Sequence, residues 1–208
     1  MAQILDLIGS SIIAGILLVT ALSLNASVME STILHNQNLH VQEEANFVTE
    51  FIDHDLNKVG YGDTLKSNIK AATAKSFVFR ADINQDNRVD TVGYFFTTGS
   101  RVGSILTAWG CLPRTLPVGS EDSILFRFST ANEGSGSGIP MLISTKARRF
   151  SFSYLNDKTV SLGSNPSAMD SIRYIVVACE LNNSYEPGDS TKALVHWTKV
   201  YRPKNIKK

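Results

Sequence analysis

Two hydrophobic periodicities divide this chain. Residues 4–24 read ILDLIGSSIIAGILLVTALSL, apolar on every side and interrupted by a single charge, Asp6. A run of roughly 20 apolar residues has the length of a helix that crosses a bilayer core. From residue 28 to residue 57 there is no Pro and no Gly, and Val41, Ala45, Val48, Ile52, Leu56 and Val59 recur at steps of three and four. That spacing is one apolar stripe on a helix. Phe47 and Phe51 widen the stripe, and Gly60 and Gly62 supply a C-terminal stop. The pattern predicts one near-continuous helix from Ile4 to about Lys58, about 80 Å long. Residues 1–27 form its membrane or filament-core half, residues 28–60 its amphipathic half packed on a sheet, and residues 61–208 a β-rich globular domain. A secretory signal peptide fits the first segment poorly. It has no basic leading region, and Asn25-Ala26-Ser27 only weakly approximates a cleavage site. A buried core helix is disfavoured by all-round apolarity in a chain this small.

After Tyr61 the period shortens to two. SFVFRAD (76–82) and DTVGYFFTT (90–98) flank a polar turn, and SILFRFS (123–129), RRFSFSYL (148–155), SIRYIVVACEL (171–181) and ALVHWTKVY (193–201) follow. These segments are rich in β-branched and aromatic residues, as strands are. Loops are marked at residues 134–138, 162–166 and 182–190. One long helix followed by a series of strands defines an α+β fold with a mainly antiparallel sheet.

Charge sharpens the division. The net charge over 208 residues is +1, yet no Lys or Arg precedes Lys58, while Asp6, Glu30, Glu43, Glu44, Glu50, Asp53 and Asp55 all do. The helix is acidic and the remainder basic, and nothing in this balance calls for nucleic acid as a partner. Cys111 and Cys179 form no CxxC unit. One disulfide between them in an oxidising compartment and two unrelated thiols in a reducing one are both open. His35, His40, His54 and His196 have no metal-pair spacing, and no catalytic or phosphate-binding motif occurs. Trp109 and Trp197 read as core or loop anchors. The chain is not expected to be an enzyme.

The turn after the first strand has its own chemistry. Asp82, Asn84, Asp86 and Asp90 place oxygen-bearing side chains at alternate positions, and the Arg88 carbonyl adds another oxygen. Hard cations such as Ca2+ need several such ligands at once. The spacing resembles the start of an EF-hand loop, but Asn87 stands where that loop has glycine, and the closing glutamate is missing. The other reading is a polar hairpin turn whose Asp and Asn side chains cap their own backbone.

Taken in order, four stretches resemble the type IV pilin-like proteins, in particular minor pilins and pseudopilins of the PilW/GspJ type. They are the apolar N-terminal helix with its early acid, Asp6; residues 51–62, FIDHDLNKVGYG, an acid-Leu-basic stretch running into Gly-Tyr; the acidic turn feeding Val92-Gly93-Tyr94-Phe95; and FSFSYLND (150–157) with the terminal Arg202-Pro203-Lys204-Asn205. The resemblance implies a subunit, minor or major, that sits in the bacterial inner membrane with an extracytoplasmic domain. It would then pack its helix among other pilin or pseudopilin subunits in a pilus or a type II secretion pseudopilus. It also implies that Asp6 meets the N-terminal amine of a neighbouring subunit, since a cation offsets the penalty of a carboxylate in apolar surroundings. The start departs from the family. Met1-Ala2-Gln3-Ile4-Leu5-Asp6 stands where the family has a short basic leader ending in Gly and a Phe-Thr-Leu-Ile-Glu-like beginning, and Asp is shorter than Glu. The competing function is a single-pass anchored adhesin or binding module that shares the helix-plus-sheet design.

Overall fold

A computed structural model describes residues 2–63, 68–109, 119, 122–130, 138–145, 147–182 and 194–206. The first element, α1, runs Ala2–Asn57 without interruption. Nine strands follow: β1 Ile69–Ala72, β2 Ser76–Ala81, β3 Asp90–Thr98, β4 Ser123–Ser129, β5 Ile139–Ser144, β6 Ala147–Leu155, β7 Ser161–Gly163, β8 Tyr174–Asn182 and β9 Leu194–Tyr201. A second helix, α2 (Gly99–Ala108), lies between β3 and β4. The strands make two antiparallel sheets, one ordered β1-β2-β3-β4-β5 and the other β7-β6-β8-β9. The fold is α+β, as the order of periodicities predicts.

The main core lies between α1, one face of the five-stranded sheet and the inner face of the four-stranded sheet. Val41, Ala45, Val48, Ile52, Leu56 and Val59 are all buried in it, against Phe77, Phe79 and Tyr94 of one sheet and Phe152, Ile175 and Val177 of the other. The six-residue stripe is therefore the face that packs. Phe51 is partly buried against it, but Phe47 is 44% exposed and touches Phe51 with ring centroids 4.7 Å apart. Phe47 widens the helix's apolar surface without joining the core.

The two sheets read differently in sequence because they are buried differently. The five-stranded sheet is covered twice. Phe77, Phe79 and Leu125 face α1, while Val78, Phe95, Ile124, Phe126 and Phe128 face Val102 and Leu106 of α2. Strands buried on both faces become near-continuous apolar runs, as DTVGYFFTT does. The four-stranded sheet is covered once, and β8 alternates half-buried and buried residues along its whole length. Gly93 of β3 sits opposite Phe128. A β-carbon there would collide with the Phe128 ring and come within 2.9 Å of Phe95, so glycine makes room for the aromatic layer over α2.

Four elements are not evident from the strand and helix patterns. β1 is IKAA and β7 only SLG, both short, and β7 covers part of the segment read as a loop at 162–166. β5 contains Pro140 and lies at the edge of its sheet, the position where a strand tolerates a missing N–H. α2 carries two glycines in ten residues, a weak helix former by composition, and it is held by burying Val102 and Leu106. β8 begins at Tyr174 rather than Ser171, because Met169–Ser171 forms a 3-10 turn first.

The distinction between the stripe and Phe47 is measurable. Leu56→Ala is expected to destabilise the protein by about 2–5 kcal/mol, the usual range for a fully buried leucine. Phe47→Ala is expected to change stability by only about 0.5 kcal/mol, as at other surface sites. Denaturant unfolding of the two variants in detergent checks both.

Candidate functional site

The most unusual surface is the front of α1. From Gln3 to His40 every described side chain is exposed except for partial cover at Gly9 and Leu34. Leu7 is 71% exposed, Leu17 64% and Leu22 60%. By length and composition this is a helix able to cross a membrane, and the domain covers none of its most apolar stretch. It is a candidate single membrane anchor. The exposed apolar side chains do not end where a bilayer core would. Val28, Met29 and Ile33 are 62%, 59% and 55% exposed, and Leu39 is 43% exposed. From Ile4 to Leu39 the bare helix is about 50 Å long, against roughly 30 Å of hydrocarbon in a bilayer. Asp6 is exposed among these residues and makes no ion pair among the described residues.

Behind Val41 the helix is fastened by carboxylates to separate strands. Asp55, 1% exposed, accepts hydrogen bonds from Arg127 Nε at 2.6 Å and Tyr94 Oη at 2.7 Å. Arg127 and Tyr94 are register partners on β4 and β3, so adjacent strands present one cation and one hydroxyl to the same carboxylate. His54 Nδ1 lies 3.0 Å from the other Asp55 oxygen. Burial, and then Asp55, pushes the Tyr94 phenol well above its ordinary range. It stays a neutral donor. Burial pulls the Arg127 guanidinium down, but Asp55 more than offsets this and leaves it raised. Asp53 is held by Lys199 Nζ at 2.5 Å and Tyr201 Oη at 2.5 Å, both on β9. Ser144 of β5 donates to Glu44 at 2.5 Å. Burial, with Asp53 adding to it, raises the Tyr201 phenol.

The helix exit is equally fixed. Gly60 has φ +76°, a left-handed conformation that favours glycine, and its N–H donates to the Arg80 carbonyl at 2.9 Å. A β-carbon at Gly60 would meet the Asn68 side chain and lie 2.8 Å from the Asn205 carbonyl oxygen. Lys58 Nζ donates to the Ile83 carbonyl at 2.6 Å. The stretch from Asp55 to Gly60 thus supplies an ion pair, two core residues, a tether and a turn within six positions.

At the acidic turn the side chains cap the backbone. Asp82 accepts the amides of Asp86 and Asn87 at 3.2 and 3.0 Å, and Asp86 accepts that of Arg88 at 2.8 Å. Asn84 accepts the Asp86 amide at 3.3 Å and donates to the Asp86 carboxylate at 3.0 Å. Asp90 accepts the Ile83 amide at 3.4 Å. Gln85 and Asn87 adopt φ near +63° and +64°, so asparagine occupies the left-handed position without glycine. Burial first, then Asp86 and Asp82, raises the Asp90 carboxyl, against the opposing pull of Ile83 N–H and Arg127. Among the described residues no group of three or more His, Cys, Asp or Glu side chains is placed to hold a metal ion.

Cys179 is a buried free thiol, pushed up to about 12 by burial with Glu44 and Glu180 adding to it. Cys111, its proposed disulfide partner, lies outside the described residues. Trp109 packs on Phe95 and Phe128 as an anchor of the second core, and Trp197 is half-buried against the main one.

Asp6 and the acidic turn stand out in the sequence, whereas Asp55, Tyr94 and Arg127 do not. A signal was present: Asp55 is an acid beside the stripe, next to Leu56, and Arg127 is a cation enclosed by Phe126 and Phe128. No protein-family model matches the chain, and no curated protein matches it.

Two expectations follow from this geometry. Arg127→Met takes the buried guanidinium from the Asp55 carboxylate, leaving it Tyr94 and the half-exposed His54, and is expected to destabilise the fold by about 3–5 kcal/mol. Tyr94→Phe, which removes the hydroxyl bonded to Asp55 at 2.7 Å and lying 3.2 Å from the Phe51 carbonyl, is expected to lower stability by about 1–3 kcal/mol. Denaturant unfolding of both variants checks the order. At the turn, titration of the protein with millimolar Ca2+ is expected to release no heat, and Asp82→Ala to lower the melting temperature equally with and without Ca2+. A saturable heat that Asp82→Ala abolishes would favour the calcium reading instead.

Proposed function

We propose that this protein is a structural subunit of a filament of the type IV pilus or type II pseudopilus kind. It is held in a membrane by the front of α1 and assembled by burying that same surface against other subunits. The observation that carries this reading is the length of the bare helix. An anchor needs apolar surface only across the bilayer, and Val28, Met29, Ile33 and Leu39 extend exposed apolar surface well beyond residue 24. Water-facing apolar patches of this kind mark interaction surfaces. Packing against neighbouring helices covers them; lipid alone does not.

The anchorage supports the same function. A helix that transmits load or position from a filament core to a surface domain has to be rigidly joined to that domain. α1 is joined through three strands by Asp55 and Asp53. Asp6 is then the one charge in the apolar half, and a cationic group on a neighbour, such as an N-terminal amine, offsets its desolvation on assembly. Membrane insertion tolerates Asp6 near the end of the span, where a charge is least costly.

Imaging of sheared surface filaments, with mass spectrometry of the subunit's N-terminus, tests the reading. The subunit is expected in the sheared fraction. Asp6→Ala and the double variant Met29→Ser/Ile33→Ser are each expected to insert in the membrane at normal level but to fall in the sheared fraction by about tenfold, the effect of losing roughly 1.4 kcal/mol per subunit contact. Normal incorporation of both variants, or confinement of the unaltered subunit to detergent-extracted membranes, would refute it.

A further inference from the structure

We propose that a groove between α2 and the end of the five-stranded sheet binds a small hydroxylated acid, of the class of a uronic-acid sugar. The open groove lies where β2 begins, β3 ends and β4 begins, and has a volume of about 660 Å3. Ligand sites commonly span roughly 300–1,000 Å3. Its walls include two cations, Lys75 and Arg101, and no carboxylate among the described residues. Arg101 has no ion-pair partner among the described residues. The Lys75 ammonium lies 5.7 Å from the centre of the Phe96 ring, placing positive charge beside an apolar wall.

The remaining lining sets the ligand class. Thr97, Ser104 and Ser123 add hydroxyls, each able to donate and accept. Arg101 and Ser104 are three residues apart on α2, so they share the face turned to the groove. The cations suit a carboxylate and the hydroxyls suit ring hydroxyls. A bare inorganic anion would engage the cations and leave the rest unused. This inference is independent of the filament reading, because α1 takes no part in the groove.

Lys75 and Arg101 are both exposed, so Lys75→Ala and Arg101→Ala are expected to fold normally, as unchanged circular dichroism and melting will record. The test is an amide chemical-shift titration of the isotope-labelled full chain in lipid nanodiscs, with glucuronate, glucose and inorganic phosphate as probes. Glucuronate is expected to shift Thr97, Ser104 and Ser123 saturably. Glucose is expected to bind at least about tenfold more weakly, as is glucuronate to either variant, the effect of losing one charge-assisted hydrogen bond. The absence of a saturable shift, an equal response to glucose, an equal response to phosphate, or undiminished binding by both folded variants would each overturn the assignment.

Discussion

One helix has to satisfy two incompatible environments, and the rest of the molecule is arranged around that constraint. From Val41 onward α1 contributes one stripe to a closed core, and before it the same helix presents apolar side chains on all sides. A soluble domain does not leave such a surface in water, because the cost scales with the exposed apolar area. The two sheets bury the apolar stripe of the rear half, and among the described residues the front half is exposed apart from partial cover at Gly9 and Leu34. The division falls at the Val41 side chain, some way beyond the point where a bilayer-length segment ends. The intervening stretch, 28–40, is mixed polar and apolar. It is the part of the helix that lipid does not explain.

Joining such a lever to a domain needs more than hydrophobic contact, which is non-directional and tolerates sliding. The buried Asp55 supplies direction. It has to find Arg127 and Tyr94 together, and a slip of α1 by one turn would carry the carboxylate away from both. Buried ion pairs contribute little net stability, because desolvation consumes the Coulombic gain, but breaking one is expensive. Their best-attested role is to fix register, and Asp55 is placed to do this between helix and sheet. Asp53 repeats the device on the other sheet with Lys199 and Tyr201. The two carboxylates together tie α1 to both layers.

Much of this was legible in the sequence, for identifiable reasons. The stripe from Val41 to Val59 was readable because helical periodicity and burial coincide there. β3 and β4 were readable with their ends because two-sided burial made them dense in Val, Ile and Phe. β5 was obscured by Pro140, which marks an edge, and α2 by its glycines, because tertiary packing of Val102 and Leu106 outweighs local propensity. Phe47 shows the opposite failure: its hydrophobicity and position suggest the core, yet it lies on the flank of the helix. At the acidic turn two readings stood open, and the hydrogen bonds display the capping arrangement. The Asp55 constellation was hidden because its members are 39 and 72 residues apart, a distance that no local pattern spans.

On the proposed function, the segment just beyond the bilayer, centred on Ile33, is bare in the membrane-held subunit and covered in the assembled one. Ile33→Cys, in a background with Cys111 and Cys179 replaced by Ser, allows this to be measured with a membrane-impermeant maleimide. Rapid labelling of the subunit in membranes is expected, with protection in intact sheared filaments and renewed labelling after the filaments are dissociated in detergent. Equal labelling in membranes and in filaments would contradict it.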